Sequence, residues 1–530
     1  MALLSILFYV ILAVLTGVYL FFKRQFSFFE RHNIPHLKAS IPFGNMKDVA
    51  KTVHMLDRLQ EIFDTLKKRG KVIGFYNLTD PVYLITDIEV IKHIAIKDFN
   101  NFMNRGVFVN EEEEPLTGHL FGLEDERWHF LRNKLSPVFT SGKLKHMYLT
   151  INDLGKNLVD RLDRMGKNNE TVEAKSVANR FTVDIISSVA FGMDANTLND
   201  QHQDLLDIFK EIFGAEGPSL FYFFFLFAFP NLSKRLHLRQ FSKRICDFFM
   251  DVVATNIKYR EDNNDNRNDF LNMLIQLKNK GSIDGEFSSE TKKLTLNEIL
   301  AQAFLFFFAG SDTSSTTISF ALTELAFNQD AQEKLRAELV EKTKDTNGEI
   351  SYDLLHELTY LNQVVNESLR MHPPAPFAIR KAKEDYKVPD TNVIIKKNTT
   401  VWIPLQCFHY DDRYWNNPSK FDPERFTTEE VAKRPLCYFP FGEGPRNCKY
   451  LILSSYLNFL IIPCFYLHLR IITSGIGMRL GLMNVKVGVA KVIQNFKVTP
   501  DPKLKYPLQL DPKSTSIEPL GKFSLKFERI

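Results

Sequence analysis

A cysteine stands at the end of a loop in the carboxyl-terminal part of the chain. The loop reads Phe441-Gly442-Glu443-Gly444-Pro445-Arg446-Asn447-Cys448. Its glycines and proline predict a tight, exposed turn rather than a helix or a strand. A cysteine thiolate can bind a metal when a nearby cation and a following helix N-terminus lower its pKa. Arg446 can supply that cation or bind an anionic cofactor group. The alternative for an isolated cysteine is a buried structural residue.

A second cluster interrupts an apolar stretch that predicts a long helix beginning near Leu294. It reads Ala309-Gly310-Ser311-Asp312-Thr313-Ser314. A glycine inside a helix costs about 1 kcal/mol relative to alanine, so we expect a ligand to lie against the helix backbone here. Asp312 and Thr313 would place a carboxylate and a hydroxyl beside that space. The same pattern also fits a helix-packing notch with a surface acid.

Two further clusters combine acids and arginines. Glu367 and Arg370 lie three residues apart, which places them on one helix face where they can pair. Arg425 follows the proline of a predicted turn, Phe421-Asp422-Pro423-Glu424-Arg425-Phe426. On a surface, such a helical pair contributes at most about 0.5 kcal/mol and is common. Each of these two clusters is therefore weak evidence when it is taken alone.

The composition indicates which class of protein holds these clusters. Of 530 residues, 44% are hydrophobic and 25% are charged, which excludes disordered and collagen-like chains. The 67 Lys and Arg residues nearly balance the 63 Asp and Glu residues, so nucleic acid is not an expected partner. Five cysteines without close pairs argue against a disulfide framework and a zinc site. Helical periodicity with short β-branched runs predicts a mainly α fold with a minor β region.

The N-terminus predicts a membrane anchor. Residues 2–22 carry no charged side chain and are long enough to cross the hydrocarbon core. A cleaved signal peptide fits less well, because no basic segment precedes the run and no cleavage site follows it. Lys23 and Arg24 follow directly, which predicts a single-pass anchor with the bulk of the chain in the cytosol. Residues 23–45, with Pro35, Pro42 and Gly44, are expected to form a linker to one large domain at 46–530.

In their order and separations, these clusters resemble the cytochrome P-450 haem-thiolate monooxygenases, and the chain looks closest to insect microsomal members. The cysteine loop matches F-x-x-G-x-R-x-C-x-G from Phe441 to Cys448, and the second cluster matches A-G-x-D-T-[ST]. Glu367 and Arg370 match E-x-x-R, and the segment from Trp128 to Arg132 matches W-x-x-x-R. The resemblance covers nearly the whole chain, and it implies a cytochrome P-450 fold.

The resemblance also implies a role for each matching residue. Cys448 would be the axial ligand of the iron in haem b, iron protoporphyrin IX. The other residues that would bind the cofactor are Phe441, Trp128, Arg132, Arg380 and Arg446, the last four at the haem propionates. Thr313 and its acidic neighbour Asp312 would deliver protons to bound oxygen. Glu367 and Arg370 would join Arg425 in a buried structural network.

The implied reaction, catalysed by the domain at 46–530, inserts one oxygen atom from O₂ into a lipophilic organic substrate. The resemblance also implies that the substrate pocket is lined by residues 102–108, the Phe221 region, residues 304–309 and residues 374–377. The chain contains no flavin or dinucleotide fingerprint, so the electrons would come from an NADPH-dependent cytochrome reductase at the same membrane. Cytochrome b5 is a second candidate partner. The family's microsomal members have an N-terminal anchor, so the expected location is the endoplasmic reticulum membrane.

The chain departs from the family pattern directly after the cysteine. The pattern requires glycine two residues after Cys448, where this chain has Tyr450. Removing residues 449–475 joins Cys448 to Ile476-Gly477 and restores the pattern. The segment fits a retained intron. Codons for Cys-Lys-Tyr at its start can contain a splice-donor sequence, and codons for Ser-Gly at its end can contain a splice-acceptor sequence. Joining the two sites would keep the reading frame. The segment also fits a true loop insertion or, from its uncharged part, a second membrane span.

Two other functions follow if these residues belong to the working protein. The first is a catalytically impaired haem- or lipid-binding membrane protein, in which the insertion has disrupted the haem site. The second is a multi-pass membrane protein that uses residues 2–22 and 450–469 as its spans.

Overall fold

The computed structural model describes residues 2–136, 141–167, 171–213, 222, 225–226, 229–267, 269–283, 292–446, 477–514 and 517–530. Helices dominate these residues and strands are few, so the predicted mainly α class with a minor β region is confirmed. Cys448 and the insertion at 449–475 lie outside the described residues, as does the predicted second span at 450–469.

The helices account for most of the regular structure. They are α1 (Ala2–Phe26), α2 (Phe28–Arg31), α3 (Met55–Leu66), α4 (Ile88–Lys92), α5 (Asp125–Leu135), α6 (Ser141–Gly166), α7 (Ala174–Phe191), α8 (Gln203–Phe213), α9 (Pro230–Arg235), α10 (Lys243–Asn263), α11 (Phe270–Asn279), α12 (Leu296–Phe327), α13 (Gln329–Thr343), α14 (Tyr352–Glu357), α15 (Thr359–Met371), α16 (Leu405–His409), α17 (Thr428–Lys433) and α18 (Met478–Asn495).

The strands form three small sheets. They are β1 (Val72–Asn77), β2 (Asp80–Ile85), β3 (Val172–Glu173), β4 (Ala378–Lys381), β5 (Tyr386–Lys387), β6 (Ile394–Ile395), β7 (Thr400–Ile403), β8 (Phe496–Pro500) and β9 (Ser524–Arg529). The largest sheet has the order β1-β2-β7-β4, and in it β2 and β7 run parallel while the other pairs are antiparallel. The other sheets have the orders β3-β9-β8 and β5-β6.

Helix α1 is the one candidate membrane span among the described residues. Its span Leu3–Phe26 has a mean hydropathy of 2.5, and none of its most apolar stretch is buried against the rest of the chain. The helix continues past the predicted end at residue 22, because Lys23 and Arg24 suit the negative end of its dipole. The predicted linker at 23–45 is also partly helical. In it, Phe29 packs in the core against Tyr76.

Helix α12 forms the centre of the domain. Thr295 begins it with a capping box: its hydroxyl accepts a hydrogen bond from the Glu298 amide, and the Glu298 carboxylate accepts one from the Thr295 amide. The predicted start near Leu294 is therefore within two residues of the observed one. Gly310 gives α7 room to approach, since a Cβ there would lie 2.6 Å from Ile186 Cδ1. The helix-packing notch that the sequence left open is thus present.

Candidate active site

A cavity of about 440 Å³ lies beside the middle of α12. Its wall also includes residues of α5, the segment between α15 and β4, the loop that begins at Pro440, and the first turns of α18. Most of the lining is apolar, and the volume lies in the range of small-molecule sites. These five parts of the chain thus converge on one space, which is the arrangement expected of a binding site.

Arg446 reaches the cavity from the cysteine loop. Its Nε and Nη2 atoms donate to the carbonyl oxygens of Met103 (2.8 Å) and Leu123 (2.6 Å). Its guanidinium also lies over the Trp128 ring, 4.1 Å from the ring centroid. The side chain is buried, with 4% of its surface exposed, and burial is the main cause that lowers its pKa from 12.5 to about 9. It forms no ion pair with any described residue.

Arg380 lies on β4 in the wall of the same cavity. Its Nη1 donates to the Ile379 carbonyl at 2.8 Å, and its Nε has no hydrogen-bond partner. Only 2% of the residue is exposed, and burial lowers its pKa from 12.5 to about 10. Within the described part of the chain it has no carboxylate partner either. A buried cation without a counter-ion is costly, so two such guanidinium groups in one wall fit an anionic ligand.

Helix α5 presents Trp128 and Arg132 to the cavity. The two residues are four positions apart and therefore share one face of the helix. Acidic residues in the first turn and basic residues in the last turn suit the helix dipole. Phe441, at the start of the cysteine loop, also lines the cavity. All five described residues that were assigned to cofactor binding from the sequence thus line this cavity.

Thr313 and Asp312 have different surroundings. Thr313 faces the cavity, and its hydroxyl donates to the Ala309 carbonyl at 2.6 Å, which leaves its oxygen as an acceptor on the cavity side. Asp312 is not among the lining residues; its Oδ1 accepts from the Lys175 ammonium on α7 at 2.9 Å. Successive side chains on a helix are rotated by about 100°, so the two neighbours cannot point the same way.

The cysteine loop is described as far as Arg446, and the residue assigned as metal ligand, Cys448, follows outside the described residues. Gly444 has a φ of +77°, and a Cβ there would lie 1.6 Å from the Ala95 carbonyl oxygen, so only glycine fits. Cys246, Cys407 and Cys437 are buried. Burial raises the pKa of each of their thiols, that of Cys437 to about 11, which disfavours the thiolate form. None of these three lines the cavity.

Glu367 and Arg370 form a fully buried pair at the end of α15. Arg370 Nε and Nη2 donate to the two carboxylate oxygens of Glu367 at 2.7 and 2.9 Å. Arg425 Nε lies 3.3 Å from Glu367 Oε1, and the Asp422 amide donates to the same oxygen. Arg370 also donates to the carbonyl of His409. These contacts connect α15 with the segment before the cysteine loop.

The expected substrate-side wall is present in part. Leu305, Phe306 and Ala309 line the cavity, as do Pro374 and Phe377. Arg105, within the expected segment 102–108, also lines the cavity. Phe102, Phe108 and Phe304 are instead buried in the protein core, and Phe221 lies outside the described residues. A phenylalanine-rich segment does not reveal by itself which of its rings face a ligand and which face the core.

Two features of the site were missed from the sequence. Lys175 precedes its partner Asp312 by well over a hundred residues, and no local pattern connects them. Asn484 and Ser314 line the cavity with buried polar side-chain atoms that have no hydrogen-bond partner among the described residues. The sequence does contain a signal for Asn484, because a buried amide within an apolar helix needs a polar partner.

The chain matches one family and many individual proteins. The cytochrome P450 family model matches residues 35–449 and thus ends one residue after Cys448. Probable cytochrome P450 6a14 of Drosophila melanogaster is 36% identical over 95% of this chain and 96% of that protein. Cytochrome P450 6a2 of the same fly is 35% identical over 99% of this chain and 100% of that protein. Cytochrome P450 6A1 of Musca domestica is 36% identical, with coverage of 98% and 97%.

These matches confirm the predicted resemblance to insect members, and they give no support to a catalytically impaired protein. They extend over most of the chain, and they agree with a helical fold that brings the predicted cofactor residues to one cavity. The chain therefore belongs to the cytochrome P450 family of haem-thiolate monooxygenases, which use haem and electrons from a redox-partner reductase.

Proposed function

We propose that the cavity beside α12 is the site where this chain oxidises lipophilic substrates. In this proposal the Cys448 thiolate would hold the haem iron, and Arg132, Arg380, Arg446 and Trp128 would hold the haem propionates. The observation that carries the proposal is the pair of buried guanidinium groups, Arg380 and Arg446, which donate to backbone carbonyls and have no carboxylate partner among the described residues. Propionate carboxylates would neutralise both charges in a setting of low dielectric constant, where such pairs are strong.

The other residues that line the cavity are proposed to exclude water and to take part in proton transfer. When bound, haem with a thiolate ligand supplies the chemistry that cleaves the O–O bond of dioxygen, with electrons from NADPH through a separate reductase. The apolar side chains of Leu305, Phe306 and Phe377 exclude water and favour lipophilic substrates. The Thr313 oxygen, whose own proton is directed to Ala309, accepts a hydrogen bond from a proton donor in the cavity.

Asp312 is assigned the role of the acid beside Thr313. Its ion pair with Lys175 is largely buried, with 15% of the Asp312 side chain exposed. The pair keeps the carboxylate out of the cavity wall. Asp312 therefore takes part in proton transfer only after a rotamer change that separates it from Lys175.

The chain is proposed to reside in the endoplasmic reticulum membrane with its catalytic domain in the cytosol. The apolar helix α1 supports a single-pass anchor, and Lys23 and Arg24 at its carboxyl-terminal end favour the cytosolic side. The required reductase is proposed to be an NADPH–cytochrome reductase at the same membrane, with cytochrome b5 as a second electron donor.

Residues 449–475 are proposed to be an insertion that the working enzyme lacks, most simply a retained intron. Two observations support this proposal. The family match ends at residue 449, and the family pattern resumes at Ile476-Gly477 in the sequence. The proposed domain of residues 46–530 would then be continuous through the ligand loop into α18.

Replacing two cysteines separately tests the site assignment. Cys448→Ser should abolish the thiolate absorption of the reduced carbon-monoxide complex, because serine does not supply a thiolate. Cys437→Ser is the matched control, since Cys437 is a buried thiol outside the cavity wall. Both substitutions are made in the full chain and in the form without residues 449–475. Loss of the signal in Cys437→Ser, with retention in Cys448→Ser, would overturn the assignment.

A further inference from the structure

A buried carboxylate near the carboxyl-terminal end of α12 takes no part in the site described above. Glu324 Oε1 accepts a hydrogen bond from His372 Nε2 at 2.8 Å, and Glu324 Oε2 accepts one from the Tyr506 hydroxyl at 3.1 Å. Glu324 is 1% exposed, so both donors matter for the free energy of the folded state. We call these three residues the Glu324 network.

The His372 ring makes a stacking contact in addition to its hydrogen bond with Glu324. It stacks on Phe320, with ring centroids 4.0 Å apart and an angle of 6° between the planes. Phe320 is itself fully buried and contacts Phe523 at 4.8 Å. Tyr506, which is partly exposed, connects the network to the carboxyl-terminal segment and packs against Phe327. These contacts hold the His372 ring against α12.

The network lies directly before a wall of the cavity. His372 is the residue that follows α15, and Pro374, Ala375 and Phe377, two to five residues further on, all line the cavity. Prolines lack an amide hydrogen, so the start of this segment offers few backbone donors to anchor it. Its far end is fixed differently, by the pairing of β4 with β7 and by the stacking of Phe377 on Trp402 at 4.4 Å.

We propose that the Glu324 network is a positioning device that fixes the cavity wall at residues 374–377 and thereby decides how a lipophilic substrate is oriented. The proposal rests on the proposed function, because it takes this cavity as the substrate site. A hydrogen bond to a charged group holds His372, and His372 sets where the proline segment leaves the helix. If His372 loses this hydrogen bond, residues 374–377 can therefore adopt several positions, and the substrate can bind in several orientations.

Hydrogen exchange of residues 375–381 tests the anchoring without any turnover. His372→Phe keeps an aromatic ring against Phe320 and removes the donor to Glu324, so exchange should become about tenfold faster. His372→Gln retains an N–H donor and should restore most of the protection. Tyr506→Phe is the milder variant, and it tests the anchoring if His372→Phe does not fold. It should make hydrogen exchange of residues 375–381 about threefold faster.

A matched control is available on β5. The Tyr386 hydroxyl also donates to a carboxylate, that of Asp98 at 2.6 Å, but neither residue lines the cavity. Tyr386→Phe should therefore leave exchange at residues 375–381 unchanged. The haem-loaded full chain then supplies the second readout, the ratio of products formed from one lipophilic substrate that is oxidised at several carbons.

Tyr506→Phe should change this product ratio by about threefold while the carbon-monoxide spectrum stays the same. Unchanged exchange, or faster exchange with an unchanged product ratio, would overturn the positioning role. A failure of the proposed function has a different signature, since the thiolate spectrum would then be missing while the difference in hydrogen exchange remained.

Discussion

Replacing Arg380 with methionine should stabilise the haem-free protein and weaken its binding of haem. Burial lowers the pKa of Arg380 from 12.5 to about 10, and since one pKa unit corresponds to about 1.4 kcal/mol, the buried charge costs about 3 kcal/mol. The lost hydrogen bond from Nη1 to the Ile379 carbonyl offsets about 1 kcal/mol of the gain. The free energy of unfolding of the haem-free Arg380→Met variant should therefore rise by about 2 kcal/mol.

The haem-loaded protein should respond in the opposite direction. There the Arg380 guanidinium is proposed to meet a propionate, and a hydrogen bond between charged groups contributes about 1.5–3 kcal/mol. Haem should consequently dissociate at least about tenfold faster from the variant. Transfer of haem to an excess of apomyoglobin measures this rate, and denaturant unfolding measures the stability of the haem-free form.

Arg260→Met is the matched control for the unfolding measurement. Arg260 is as deeply buried as Arg380 but donates to both carboxylate oxygens of Asp269 at 2.7 Å. Breaking such a pair leaves an uncompensated charge and should cost about 3–5 kcal/mol with or without haem. If Arg380→Met destabilised the haem-free protein as Arg260→Met does, Arg380 would have a counter-ion in the chain itself and the reasoning would fail.

Two further predictions concern oxygen chemistry and the insertion. Thr313→Ala should retain the thiolate spectrum while more of the NADPH consumed yields peroxide, because the cavity loses the Thr313 hydroxyl. Thr323→Ala is the control, since the Thr323 hydroxyl donates to a carbonyl of the same helix but lies outside the cavity wall. Equal coupling of NADPH use to product in both variants would argue against the role of Thr313. Removal of residues 449–475 should increase haem occupancy in the recombinant protein, because α18 can then begin directly after Cys448 and its N-terminus can stabilise the thiolate. Equal haem content and turnover of both forms, with a transcript that uniformly encodes the segment, would count against the retained intron.

Local sequence patterns were sufficient for the parts of the site that come from continuous segments. The match to W-x-x-x-R assigned Trp128 and Arg132 to the cofactor, and both line the cavity from one face of α5. The Glu367 and Arg370 spacing likewise predicted a helical pair, which is present at 2.7 Å. In these cases the periodicity of the helix alone determines which side chains are neighbours.

Contacts between distant segments were beyond the reach of such patterns. Asp312 was expected beside the cavity with Thr313, but Lys175 of α7 holds its carboxylate elsewhere. The Glu324 and His372 contact joins two helices whose approach depends on the packing of the whole domain. A sequence pattern indicates the face on which a residue lies, whereas the identity of its partner depends on tertiary structure.

The buried arginines connect the fold of this chain with its cofactor. A domain that buries the guanidinium groups of Arg380 and Arg446 without a described carboxylate partner pays a free-energy cost in its haem-free form. An anionic cofactor removes that cost on binding, so part of its binding free energy appears as stability of the fold. Under the proposed assignment, the charges that would bind the haem propionates therefore also make the haem-free protein the less stable form. Arg380→Met separates these two effects, because it should move stability and haem retention in opposite directions.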